Sequence, residues 1–160
     1  MDDLRFRDAT RADDLFFRQM ELRTTWLSLD PEDAQRLRRE EIREALTETH
    51  EALLARPGNR VVIAETAEGE RVGMLWFGVN RNLITGEQEA WIYNLSVTDE
   101  YQGRGIGRRL LEYGEILAQE AGYPVVGLMV SSHNQRARQI YEAFGFQPTN
   151  LIMRKRVPPP

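Results

Sequence analysis

A chain that passes from strand to helix across closely spaced glycines has few folds open to it. Residues 101–111 read YQGRGIGRRLL, between a strand-like run at 91–97 and a helix-like run at 106–121. Gly103, Gly105 and Gly107 leave backbone N–H groups uncovered by side chains, where a helix N-terminus already favours an anion. Arg104, Arg108 and Arg109 add positive charge. Together they predict a cradle for a phosphate or pyrophosphate. Two common phosphate loops fail to match. No G-x-x-x-x-G-K-[ST] run occurs, and the chain's only lysine, Lys155, is far from any glycine loop. A G-x-G-x-x-G fingerprint begins at Gly103 and Gly105 but meets Arg108 where the third glycine belongs. The spacing that fits is Gln102-x-x-Gly105-x-Gly107. The alternative, a turn that merely caps a helix, is disfavoured by the strand before it and the helix after it.

Length and composition set the frame. The chain has 160 residues, 41% of them hydrophobic, which suits one domain with a real core. No apolar run approaches the ~20 residues of a membrane span. The first residues, MDDLRFRDAT, are charged from the second position and read as no secretory signal, so a cytoplasmic location is expected. There is no cysteine, which excludes disulfides, thiolate metal sites and a cysteine nucleophile. Scattered histidines and carboxylates show no metal spacing, so no metal is expected. The net charge of −4 argues against broad nucleic-acid binding and is compatible with cationic substrates.

Periodicity gives the order of elements. Residues 4–7 alternate apolar and charged, as a half-buried strand does. Thr10 can cap a helix over 11–27, with Leu15, Phe16, Met20 and Leu22 as its apolar side. Asp30 and Pro31 start a second helix that runs to Arg56-Pro57-Gly58. Strands are predicted at 60–66, 71–79 and 89–97, with a polar turn at 80–86. The glycine loop and a helix follow, then an apolar strand at 125–130 that reads as covered on both faces. A last helix at 134–144 stops at Gly145, and a strand is expected at 151–157. Hairpin-linked strands plus one strand–helix–strand crossover predict a mixed α/β sheet with helices on both faces. Residues 158–160 read as a frayed tail.

A second motif follows the apolar strand. Residues 134–146 read NQRARQIYEAFGF, which is N-x-x-A-x-x-x-Y-x-x-x-G-F on Asn134, Ala137, Tyr141, Gly145 and Phe146. This signature and the Gln102-x-x-Gly105-x-Gly107 loop, in this order, resemble the GNAT superfamily of N-acetyltransferases over essentially the whole chain. The resemblance implies an α/β domain over 1–157. Its sheet would be mixed and mostly antiparallel, of six to seven strands with a splayed central parallel pair, with about four helices on both faces.

It also implies acetyl-CoA as cosubstrate and an amine, of a small molecule or a protein, as acceptor. Leu95, Ser96 and Val97 would bind the pantetheine arm, with Leu95 and Val97 giving backbone groups. The amides of Gln102, Gly103, Arg104, Gly105, Ile106, Gly107 and Arg108 would hold the pyrophosphate, and Asn134 would hydrogen-bond the arm. No membrane or nucleic-acid partner is implied, and relatives often form homodimers.

Transfer in the family is direct, without a covalent enzyme intermediate. Tyr141 would protonate the leaving thiolate. The base is less defined, because Tyr93 and Asn94 stand where many relatives carry strand carboxylates. Glu89 shares strand parity with Trp91, Tyr93 and Leu95 and could end a water relay. His50 reads as surface and His133 as a helix-start residue. Trp26, Leu29, Trp76 and Tyr93, with Glu21, are candidate walls of the acceptor pocket. A catalytically silent acyl-CoA sensor and a nucleotide-dependent enzyme are the competing classes.

Overall fold

The computed structural model describes residues 3–160. Among these, five strands form one sheet in the order β1 (Arg5–Asp8), β2 (Arg60–Glu65), β3 (Arg71–Arg81), β4 (Gln88–Val97) and β5 (Val126–Leu128). The first three junctions are antiparallel and the last, β4 with β5, is parallel. The mixed sheet with a parallel pair is therefore present, but the expected six to seven strands are five. The segment at 151–157, predicted as a strand, has no sheet partner. Leu151, Ile152, Met153 and Val157 are all exposed. Its arginines instead bind carboxylates: Arg154 reaches Asp33 (2.9 Å), and Arg156 reaches Glu32 and Asp33.

The helices are α1 (Asp14–Ser28), α2 (Pro31–Arg36), α3 (Arg39–Leu54), α4 (Ile106–Glu120) and α5 (Gln135–Phe144). The single second helix expected from sequence is two. Asp30 caps α2 through a bond from the Glu32 N–H (3.0 Å), as its position suggests. Leu37 and Arg38 then become extended, and the Glu41 carboxylate accepts from the Arg38 N–H (2.8 Å) to open α3. Residues 11–13 form a 3-10 turn rather than the start of α1. The buried side of α1 is Phe17, Met20 and Glu21, and Leu15 is exposed.

Two cores cover the two faces of the sheet. On one, Ile106, Leu110, Leu111 and Leu117 of α4 meet Leu75, Phe77 and Ile92, with α5 contributing Tyr141 and Phe144 at the edge. On the other, Phe17 and Met20 of α1 meet Ile63, Met74 and Trp76. No helix is long and apolar enough to cross a membrane among the described residues.

β4 is not regular. Trp76 pairs with Asn94 but Phe77 pairs with Ile92, so Tyr93 is an extra residue, a β-bulge. The bulge breaks the alternation of side chains. Ile92 and Leu95 both serve the α4 face, whereas Tyr93 packs with the α1 face. The expected common face of Glu89, Trp91, Tyr93 and Leu95 therefore fails at Leu95. The Tyr93 ring lies over Gly78, where a Cβ would come within 2.7 Å of it.

Buried carboxylates tie β1 to its neighbours. Asp13, fully buried, accepts from Arg7 (2.8 and 3.0 Å), from Arg71 (2.6 Å) and from the Thr10 N–H (2.7 Å). Glu65 accepts from Arg7 (2.7 Å) and Arg5 (2.9 Å). The hydrogen bond from Arg7 is the main reason both carboxyls sit below their ordinary range, and burial only partly opposes it. Removing one partner from such a network leaves buried charge uncompensated, so Asp13→Ala is expected to cost about 3–5 kcal/mol in urea unfolding at neutral pH. Because folding favours the ionised forms, this stability is complete above roughly pH 4 and drains as the pH falls below it. The thermal midpoint should drop on acidification, and drop less in Asp13→Asn.

Candidate active site

The gap beside β4 arises from a short ladder. β4 and β5 pair only at Ala90–Val126, Trp91–Gly127 and Ile92–Leu128. Beyond Ile92, β4 runs on to Val97 while β5 has ended. The Thr98 N–H bonds back to Val72 of β3 (2.9 Å). Successive peptide units point to opposite sides of a strand, so Leu95 and Val97 turn their main-chain groups toward the gap. β4 thus ends in a stretch that β5 does not pair.

Val97 departs from expectation in one respect. Its carbonyl already accepts from the Gln102 side chain (3.2 Å) and from Arg23 of α1 (3.3 Å). Arg23 also pairs with Asp99. Nothing in the spacing of α1 signalled this residue.

The glycine loop closes the gap at its open end. Asp99–Tyr101 makes a 3-10 turn, and Gly103 and Gly105 take left-handed backbone conformations (φ 75° and 82°). Gly105 is the N-cap of α4. The amides of Gly103, Arg104, Gly105, Ile106, Gly107 and Arg108 have no backbone acceptor among the described residues. They are the free donors of a helix start. The predicted cradle began one residue earlier, but the Gln102 N–H is used on the Asp99 carbonyl (3.3 Å). A Cβ on Gly107 would lie 3.8 Å from Leu95 and 3.9 Å from Val97, so α4 starts flat against the open end of β4.

The arginines are less free than their number suggests. Arg104 stacks over Tyr101 (4.7 Å), Arg109 over Phe6 (5.4 Å), and Arg108 pairs with Glu112 (3.1 Å). The Tyr101 hydroxyl donates to Glu70 (2.6 Å), which anchors the loop to the β2–β3 turn.

On the far side of β5, Asn134 caps α5 by accepting from the Ala137 N–H (3.2 Å). One lone pair of its side-chain oxygen is therefore committed, and its amide N–H groups remain free to donate. Tyr141 is half-buried, edge-on to Phe146 (5.9 Å), on the α4 side of the sheet. Burial pushes its hydroxyl pKa up, which keeps the proton on. Ser131 donates to the Ser28 carbonyl, and His133 contacts the Leu27 carbonyl (3.2 Å). These bonds tie the loop after β5 to the end of α1, which gives His133 an anchoring contact.

The remaining candidates divide. Trp26, under Arg39 (5.3 Å), and Leu29 are half-buried at the end of α1. Trp76 is 1% exposed and donates to Asn59 (2.8 Å), so it is core and no pocket wall. Tyr93 is turned along β3, with its hydroxyl on the Val79 carbonyl (3.0 Å) and its pKa raised by burial. Glu89 accepts from Asn82 (2.9 Å) across the hairpin. It precedes the stretch of β4 that pairs with β5 and so lies at the end away from the gap, about 13 Å from Tyr93 at the usual rise of a strand. His50, expected at the surface, is mostly buried and in contact with Glu21. The signal was available, since His50 falls in phase with Ile42, Leu46 and Leu53 on α3. Among the described residues, no three His, Asp or Glu side chains gather as metal ligands.

Known proteins agree with this geometry. Residues 20–146 match the model of the acetyltransferase (GNAT) family. The chain is 32% identical to the uncharacterized N-acetyltransferase YycN of Bacillus subtilis, covering 83% of this chain and 80% of that one. It is 40% identical to the N-alpha-acetyltransferase RimI of Mycobacterium tuberculosis, but over 63% of this chain and only 60% of RimI. A proposed acetyl transferase from Pyrococcus furiosus superposes with a TM-score of 0.80 at 24% identity, over 97% of this chain and all of that one. The aminoglycoside acetyltransferase fold of AAC(6')-Iy, solved with a CoA bisubstrate analogue, superposes with a TM-score of 0.70 at 15% identity, over 97% and 98%. The protein is a member of the GNAT family of N-acetyltransferases.

Proposed function

We propose that the protein transfers an acetyl group from acetyl-CoA to a primary amine, of a small molecule or a protein, by direct attack within a ternary complex. One observation carries this reading: six free amides at the start of α4 stand at the open end of an uncovered stretch of β4. The first suits a diphosphate and the second an extended amide-bearing arm. AAC(6')-Iy was solved with a CoA analogue, and RimI is named as acting on an alpha-amine. Both are consistent with an amine acceptor here.

The steps follow from the chemistry. The neutral amine attacks the thioester carbonyl and a tetrahedral oxyanion forms. The Leu95 N–H, facing the gap, is a fixed donor for that oxyanion. The C–S bond then breaks, and Tyr141 protonates the departing sulfur. A hydroxyl whose pKa is raised by desolvation holds that proton until sulfur develops charge. Ser96 alternates with Leu95 and Val97, so its main-chain groups serve β3 and only its side chain reaches a ligand. Glu89 is too far from the gap to act except through a chain of waters. Neither the fold nor the relatives favour a silent binder.

Calorimetric titration with acetyl-CoA and CoA, followed by thiol release over a panel of small amines and N-terminal peptides, tests the reading. Absence of CoA binding would overturn it. Tyr141→Phe is expected to lower kcat about 10²-fold while acetyl-CoA affinity changes little. Gly105→Ala forces a side chain into a left-handed backbone and should weaken acetyl-CoA binding about tenfold.

A further inference from the structure

Among the described residues four carboxylates are buried: Asp13, Glu21, Asp33 and Glu65. Three of them are held by arginines, Asp13 by Arg7 and Arg71, Glu65 by Arg5 and Arg7, and Asp33 by Arg36, Arg154 and Arg156. Glu21 is the exception. It is 4% exposed, and among the described residues the one titratable side chain it meets is His50 on α3, at Nδ1, without hydrogen-bond geometry on either side. A pair built only for stability would use a permanent cation, as the other three do. A histidine partner can take a proton and give it up.

The location is as unusual as the partner. Among the described residues, four buried side-chain polar atoms lack a hydrogen-bond partner: Glu21 Oε1, His50 Nδ1, Asn94 Oδ1 and Ser96 Oγ. All four belong to one face of the sheet. His50 stacks edge-on against Trp76 (5.0 Å), and the strand partner of Trp76 is Asn94. Ser96 follows on that face, opposite Met74. Asn94 and Ser96 stand on the stretch of β4 that β5 leaves uncovered. Other charged groups nearby are committed. Arg18 and Glu51, beside the pair on α1 and α3, bind each other (3.4 Å), and the Tyr93 hydroxyl serves Val79 (3.0 Å).

We infer that Glu21 and His50 form a proton relay that takes the proton of the acceptor amine, with Asn94 and Ser96 lining its path from the gap. This rests on the amine-acetylation reading above. The acceptor ammonium loses a proton to the Glu21 carboxylate, by way of the Ser96 hydroxyl or water beside Asn94. The carboxylate passes it to His50 Nδ1, and His50, whose side chain is 21% exposed, releases a proton from Nε2 to solvent. The freed nitrogen lone pair forms the C–N bond, the electrons of the broken C–S bond leave on sulfur with the proton of Tyr141, and the second proton shed by nitrogen as it becomes an amide returns to the Tyr141 oxygen through solvent.

The test uses two amines of matched shape and different basicity. Benzylamine is protonated at neutral pH and must lose a proton before attack. O-benzylhydroxylamine is already neutral. Thiol release from acetyl-CoA is followed for wild type, Glu21→Gln, Glu21→Asp and His50→Gln. With benzylamine at neutral pH, Glu21→Gln is expected to lower kcat/KM by about 30-fold or more, with recovery as the pH rises. With O-benzylhydroxylamine the loss should stay below about threefold, and Glu21→Asp should restore part of the benzylamine rate. His50→Gln should show the same selectivity, and it decides the matter if Glu21→Gln does not fold. Equal losses on both amines would assign the pair a structural role and overturn the relay, as would unchanged rates. Binding of acetyl-CoA with no wild-type turnover of either amine would instead overturn the underlying reading and the relay with it.

Discussion

The structure depends on the point where β4 and β5 stop pairing. Three residue pairs hold the parallel strands together, and past Ile92 there is none. Unpaired main-chain groups inside a protein are costly unless something answers them. Everything around this point is arranged to answer them or to keep them available. At Gly107 α4 starts in contact range of Leu95 and Val97 on the open strand. Arg23 and Gln102 take the Val97 carbonyl. Ser131 and His133 hold the chain leaving β5 to the end of α1, so the gap keeps its width. The bulge at Tyr93 falls just where the ladder ends, and it assigns Leu95 to the α4 face and Asn94 to the opposite one.

The two sides of the sheet are stabilised differently. The α4 side is almost entirely apolar, with Leu110 and Leu111 fully buried. The α1 side carries the polar atoms, and its stability is shared with the ion network at Asp13 and Glu65. Arginines hold Asp13 and Glu65 on this side, whereas the partner of Glu21 is the His50 ring.

Much of this was legible in the sequence. The glycine loop and α4, the two central hairpin strands and the cap of α5 follow from local rules that act within a few residues. What was missed depends on distant neighbours. The bulge has no glycine or proline to announce it, since it reflects how β4 must fit both β3 and the α4 face. The break at Leu37 and Arg38 carries only the faint mark of Glu41 as a capping carboxylate. The alternation at 151–157 resembles a strand, but the pull of Asp33 and Glu32 on Arg154 and Arg156 is invisible along the chain. The phase of His50 with Ile42, Leu46 and Leu53 was readable, but burial of a lone polar residue is improbable until its partner is known.

Arg23 gives the Val97 carbonyl a second meaning. A carbonyl oxygen has two lone pairs, and Gln102 and Arg23 occupy both. Any donor that comes to this oxygen from the gap must evict one of them. Arg23 also joins this strand end to α1, the helix that carries Glu21 and Trp26, and its ion pair with Asp99 preserves that tie when the carbonyl is taken.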